Sequence, residues 1–305
     1  MTDAEAFIAL NMVPRIGPVR VRRLLAAFGS PGAVLTASVT ALQSVEGIGP
    51  EAAKSLRDWE SHVDLAGELR LVKEFGARVI TLASSDYPAL LREIHDPPTV
   101  LYIMGDLQDR DRHAIGVIGT RKPSHYANDC AKKISYQLAY SGVTVVSGLA
   151  RGIDTSAHQG ALAAKGRTIA VIGSGLLSIY PPENQPLAEK IATSGAVITE
   201  FSMRVKADRQ TFPMRNRILA ALSEVVVVVE SAATGGSMST VREAERRGVT
   251  VMAVPGRPGI RTSEGTNALL RDGCAPVTNV DDVLVALGLD TRKSRPRTDV
   301  RRAPV

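Results

Sequence analysis

Apolar positions between Phe7 and about residue 75, among them Leu10, Val21, Leu24 and Leu25, recur at helical spacing. From Arg78 onward the period changes. Short β-branched runs alternate with helical stretches, and the pattern predicts strands at 78–82, 100–104, 114–118, 143–146, 168–172, 196–199, 225–229 and 250–254. The helices predicted between them cover 126–140, 154–164, 185–193, 214–222 and 237–247. Such alternation implies right-handed crossovers and a mostly parallel sheet, so the α/β part should bind its ligands at the carboxyl ends of its strands. The chain divides on this reading into a helical domain, 1–75, an α/β domain, 76–289, and a basic tail, 290–305, too polar to fold alone.

The helical part contains a repeat. Pro14-Arg-Ile-Gly-Pro18 recurs as Glu46-Gly-Ile-Gly-Pro50, each copy leading into an amphipathic helix. The pair resembles tandem helix-hairpin-helix motifs of the SAM-like kind, in which backbone N–H groups at a helix start meet a DNA phosphate. Arg20, Arg22 and Arg23 follow the first turn, Lys54 and Arg57 the second. Arg15 stands where the first turn should have glycine.

In the α/β part the loops after the predicted strands carry the candidate chemistry. They are Gly119-Thr-Arg-Lys-Pro-Ser124, Ser147-Gly-Leu-Ala-Arg151, Gly173-Ser-Gly175, Glu230-Ser-Ala-Ala-Thr-Gly-Gly-Ser237 and Pro255-Gly-Arg-Pro-Gly259. Glycine, hydroxyl and arginine dominate this rim, and Glu230 is nearly its only carboxylate, so the rim suits an anion. In the stretch from Val143 to Asp154, Asp154 is read as the N-cap of the following helix. The segment Arg209-Gln-Thr-Phe-Pro-Met-Arg-Asn-Arg217 adds three arginines around one ring, a composition used to grip a single strand and stack a base. Gly173-Ser-Gly-Leu-Leu-Ser178 lacks the third glycine of a dinucleotide fingerprint and no Walker A lysine occurs, so the core resembles a Rossmann sheet without cofactor, and none is expected.

Composition narrows the partners only slightly. The net charge is +6, but the last fifteen residues contribute +5 of it, leaving the body near neutral. Basicity must therefore be local if nucleic acid is the ligand. Cys130 and Cys274 form neither a disulfide framework nor a metal pair, and the first residues do not read as a signal peptide. A cytoplasmic protein that does not engage membranes is expected. Asp154 and His158 share a helix face but have no third ligand at matching spacing, so no metal is expected and the histidine is read as structural.

Gly119-Thr-Arg121, the run from Ser147 to Asp154 with Ala157-His158, Tyr180-Pro-Pro-Glu-Asn184, Phe212-Pro-Met-Arg-Asn-Arg217 and Ala253-Val-Pro-Gly256 follow one another in the order seen in the DprA/Smf family. The chain resembles these bacterial DNA-processing proteins of natural transformation over roughly residues 5–288. The resemblance implies a helical domain on an extended Rossmann domain and a homodimer that is not an enzyme. It implies binding and protection of single-stranded DNA, and loading of the RecA recombinase onto it. Carried over by position, the DNA site comprises Gly119, Arg121, Ser147, Gly148, Arg151, Gly173, Ser174, Arg209, Phe212, Arg215, Asn216, Arg217, Gly236 and Ser237. The arginines are expected on phosphates and Phe212 on a base. Val283, Leu284 and Leu287 are the apolar residues expected at the dimer interface. Where many members continue into a winged helix, this sequence has only its basic tail.

The competing reading is an enzyme. Nucleotide-processing phosphoribohydrolases resemble this sheet and carry a Gly-Gly-x-Gly-Thr-x-x-Glu loop, of which the 236–243 stretch keeps Gly236, Thr240 and Glu243. In that reading Glu243 would stabilise an oxocarbenium-like centre on a nucleoside monophosphate.

Overall fold

Valines 225–229 show why the α/β part folds as it does. Val225, Val227 and Val229 face one layer of helices, Val226 and Val228 the opposite layer, and all five are buried. A strand covered on both faces reads as a continuous apolar run, and each such side chain contributes about 1.5–3 kcal/mol by burial. The computed structural model describes residues 1–289; the basic tail expected at 290–305 lies outside them.

The strands are β1 (Arg78–Thr81), β2 (Val100–Gly105), β3 (Ala114–Gly119), β4 (Thr144–Ser147), β5 (Thr168–Val171), β6 (Ala196–Thr199), β7 (Val225–Glu230), β8 (Thr250–Ala253) and β9 (Ala275–Pro276). They form one sheet in the order β1-β2-β6-β5-β4-β3-β7-β8-β9. From β6 to β9 every neighbour is parallel, whereas β1–β2 and β2–β6 are antiparallel. The strand order reverses at β3, which has β4 on one side and β7 on the other. The helices His125–Tyr140 and Ile153–Ala163 cover one face through Ala127, Ala131, Leu138, Ala157 and Ala161. Thr211–Ala221 and Ser237–Arg246 cover the other through Leu219, Val241 and Ala244. The helices after β3 and β7 therefore leave on opposite faces, which opens a crevice between the two strand ends.

The helices of residues 3–75 enclose a core of their own, built on Leu10, Val21, Leu24, Leu42, Ala53 and Leu56. Phe7 and Ile8, with Leu69, Val72 and Phe75, pack onto Tyr102, Ala170 and Val197 of the sheet. The repeat is visible in the backbone. Arg15 at φ 68° and Gly47 at φ 83° make the same left-handed step before the helices Pro18–Phe28 and Pro50–Arg57. A side chain in that conformation costs roughly 1–2 kcal/mol, part of which glycine returns through the unfolded chain. Arg15→Gly should therefore raise stability by about 0.5–1 kcal/mol, and a urea midpoint unchanged or lowered would contradict the strain.

The arginines of this repeat are occupied. Arg20 donates from Nε to the Gly47 carbonyl at 3.0 Å and from Nη1 to that of Arg15 at 2.5 Å. Arg23 donates to the carbonyl of Glu46, and Arg22 to those of Ile94 and His95 across the junction with the α/β part. Two of the three join the two turns, and the third docks them.

Two sequence expectations shift here. Val283 and Leu284 are at most 3% exposed on the helix Val280–Ala286, within the core that also holds Ala131 and Val145, and Leu287 packs against it. The apolar face that suggested an interface is turned inward, so Val283 and Leu284 are corrected to core, while Leu287 is half-buried at its margin. The strand predicted at 143–146 runs one residue later, because Ser147 is still paired with Ala170 of β5, and its hydroxyl is satisfied by donating to the Val117 carbonyl of β3 at 2.7 Å.

Candidate nucleic-acid interface

The crevice at the reversal of strand order has a volume of about 730 Å³. Its walls are the loop after β3 (Gly119, Thr120, Arg121, Lys122), the loop after β7 (Ala232, Gly235, Gly236, Ser237), the start of the helix Thr211–Ala221, and Arg261 with Thr262 beyond β8. Arg121, Lys122, Arg209 and Arg261 are exposed there. The one carboxylate in the lining, Asp154, is buried.

Each wall has a local cause. A register shift between Ile118 and Gly119 against β7 turns the chain out of the sheet. Gly119 is required there, because a Cβ would lie 2.6 Å from Ile153 and 2.8 Å from the Glu230 carbonyl. Glu230 is buried; its carboxylate accepts from the Ser124 N–H at 2.8 Å and the Thr262 hydroxyl at 3.1 Å, tying three loops together. The helix Thr211–Ala221 starts three residues earlier than its sequence predicts. Asp208 accepts from the N–H groups of Gln210 and Thr211 while the Thr211 hydroxyl accepts from Asp208 N–H, a reciprocal cap that holds the Asp208 carboxyl below its usual range. The earlier start places Phe212 at the mouth, half-buried beside Gly173, with the Arg121 guanidinium 4.8 Å from its ring centre. The helix Ser237–Arg246 opens onto the crevice with no side chain capping its first turn. That end presents the partial positive charge that favours phosphate.

Of the residues carried over from the family, the structure brings Gly119, Arg121, Arg209, Phe212, Arg215, Asn216, Gly236 and Ser237 into this crevice. Ser147, Gly148, Arg151, Gly173, Ser174 and Arg217 are not in its lining. Ser147 and Ser174 are buried, at 0% and 1% exposure. The loop after β4 is closed by its own acid. Asp154, in the first turn of its helix behind Gly152, accepts the N–H groups of Gly148 (3.1 Å) and Ala150 (3.3 Å). It is therefore not the N-cap, and the backbone anion site read from this glycine-rich turn is filled by a carboxylate of the chain itself.

Two arginines of the 209–217 segment are likewise internal. Arg215 is 5% exposed and donates to the Val171 carbonyl, lying so close over Gly148 that a Cβ there would meet its Nη1. Burial pulls its pKa down to about 10 while Asp154 pushes back, so it remains a cation at the crevice floor. Arg217, 6% exposed, pairs with Glu200 at 2.5 Å and Asp96 at 3.2 Å. Asn216 donates to the Ser239 hydroxyl at 3.0 Å. Sequence reasoning missed Lys122 and Arg261, although both follow strand ends already singled out as basic.

His158 is fully buried. The Thr168 hydroxyl donates to the Val145 carbonyl, so it accepts from His158 Nδ1–H at 2.7 Å and fixes the neutral ring. Among the described residues no group of His, Cys, Asp and Glu could hold a metal, and no helix is long and apolar enough to cross a membrane. Glu243, the acid of the enzyme reading, is absent from the crevice lining and is engaged by Arg246 and Arg247 on its own helix and the turn after it.

A family model described as DNA recombination-mediator protein A matches residues 78–288, and one for SAM-like helix-hairpin-helix tandems matches residues 7–58. Protein Smf of Synechocystis sp. is 35% identical over 94% of this chain and 73% of its own length. DNA processing protein DprA of Bacillus subtilis is 36% identical over 72% of this chain and 74% of its own. The X-ray structure of DNA processing protein A from Streptococcus pneumoniae superposes with a TM-score of 0.80 at 29% identity, covering 93% of this chain and 98% of that one. The structure of DNA processing protein A from Helicobacter pylori, described for its single-stranded DNA binding mode, gives a TM-score of 0.63 at 31% identity over 70% of this chain and 97% of its own.

Proposed function

This chain belongs to the DprA/Smf family of bacterial DNA-processing proteins, and on that premise we propose that it holds a few nucleotides of single-stranded DNA in the β3/β7 crevice and passes the strand to RecA in transformation and recombination. One observation carries the reading: four exposed cations with no exposed acid among them surround a half-buried ring at the reversal of strand order. Arg121, Lys122, Arg209 and Arg261 take phosphates, assisted by the helix start at Gly236 and Ser237. Phe212 takes the face of a base, which a duplex keeps stacked and out of reach. Arg215, Asn216 and Gly119 shape the floor. The helical domain, 1–75, packs on the sheet and spends its first-repeat arginines on backbone carbonyls, Arg20 and Arg23 on its own and Arg22 on those of Ile94 and His95. A cytoplasmic homodimer would present two crevices to one strand and raise avidity without new contacts. No turnover belongs to this function.

Arg121→Ala should weaken binding of a labelled oligothymidylate about five- to tenfold and flatten the plot of log K against log salt by about 0.7. The loss should be equal for other single-stranded sequences, because a phosphate contact reads no base. Fluorescence anisotropy at several salt concentrations measures both quantities. Unchanged affinity and slope would remove the crevice from consideration.

A further inference from the structure

Beside the crevice, four side chains stand in a row along the strand-end rim. The Arg121 guanidinium lies over Phe212 at 4.8 Å, the Phe212 and Tyr180 ring centres are 5.9 Å apart at 59°, and the Arg151 guanidinium lies over Tyr180 at 5.6 Å. They come from the loop after β3, the start of the helix Thr211–Ala221, the segment after β5 and the loop after β4. Two neighbouring rings, one inside the crevice and one outside it, are thus flanked by a cation at each end. Tyr180 is 40% exposed and has no place in the function described so far.

Arg151 is not available as it stands. Glu183, three residues after Tyr180, accepts from its Nε at 2.5 Å and from Nη2 at 3.1 Å, and the Tyr180 hydroxyl accepts from Nη1 at 3.4 Å. This is the paired-fork geometry with which arginine also holds a phosphate. Both partners are about half exposed, so the pair is reachable by ligand and contributes little to stability.

We propose that Tyr180 is a second base platform next to Phe212, and that Glu183 occupies on Arg151 the place of the next phosphate until a DNA strand displaces it. The inference rests on the crevice binding single-stranded DNA and extends that site by one nucleotide toward β5. The entering base takes the outer face of Tyr180, and Arg151 turns from carboxylate to phosphate. Occupation by Glu183 means that this part of the track engages only when a strand already fills the crevice, since a lone phosphate must compete with an intramolecular carboxylate. Mononucleotides and very short oligomers are thereby discriminated against.

The test measures anisotropy of a labelled oligothymidylate, and of the same strand with abasic sites, against wild type, Glu183→Gln, Tyr180→Leu, Tyr180→Phe and Phe212→Leu at two salt concentrations. Glu183→Gln should bind three- to tenfold more tightly and steepen the salt slope, a gain that misfolding does not produce. Tyr180→Leu should weaken binding roughly five- to fiftyfold on the normal strand and little on the abasic one, and Tyr180→Phe should bind like wild type. If Phe212→Leu weakens binding while Glu183→Gln and Tyr180→Leu both match wild type, the extension is wrong and the crevice stands. If wild type fails to bind the strand, the crevice reading has failed and the extension with it.

Discussion

Arg217→Ala should lose about 3–5 kcal/mol of folding stability, the usual consequence of leaving one member of a buried ion pair behind. Glu200 is 5% exposed, and burial already raises its carboxyl against the opposing pull of Arg217. Without the guanidinium the carboxylate would have to take up a proton or admit water, and among the described residues Asp96 would be left with Arg247. The damage would spread, because the Glu200 carbonyl also accepts from Asn11 of the helical part at 2.8 Å. Replacing both partners, as Arg217→Met with Glu200→Leu, should recover much of the loss, since well-packed apolar groups often substitute for such pairs without cost. Urea unfolding of the single and double variants separates the outcomes. A stability loss under about 1 kcal/mol together with a weakened, flatter salt response in DNA binding would restore Arg217 to the phosphates.

His158 should make the fold acid-sensitive. Its pKa is lowered to about 3, first by burial and then by the charge of Arg215. In the unfolded chain the ring titrates near 6.5. The stabilising contribution is thus complete above pH 6.5 and is lost as the pH falls toward 3, at about 1.4 kcal/mol for each unit below 6.5. At pH 5 the loss amounts to about 2 kcal/mol. His158→Gln should be less stable than wild type at pH 7, where it lacks the Thr168 hydrogen bond, yet decline less on moving to pH 5. Parallel pH dependences for the two proteins would show that the ring does not carry the effect.

The two residues show why reading a site from sequence fails in a particular way. Arg209, Arg215 and Arg217 lie within nine residues of one another, and composition alone makes them equivalent. Helix geometry separates them. Arg209 precedes the helix and stays exposed, Arg215 turns under the loop after β4, and Arg217 faces the ion pair with Glu200. Asp154 is a similar case. Its short carboxylate at the expected helix start suggested a cap, whereas the loop folds back so that the carboxylate receives Gly148 and Ala150. These bonds span only six and four residues, but they depend on the left-handed turn at Gly152, which residue spacing does not announce.

By itself the sequence determined the alternation of strands and helices, the basic rim of strand ends and the helical repeat, because each follows from the period of burial or from turn residues close together in the chain. It also carried the order of motifs that identifies the family. Only the tertiary structure decided the antiparallel edge at β1 and β2, the short β9, and which cations reach solvent. The physical reason is that desolvation and pairing are set by partners that only the folded path brings together: Glu200 for Arg217 and Glu183 for Arg151 across the fold, and Asp154 for the glycine-rich turn once the chain turns at Gly152.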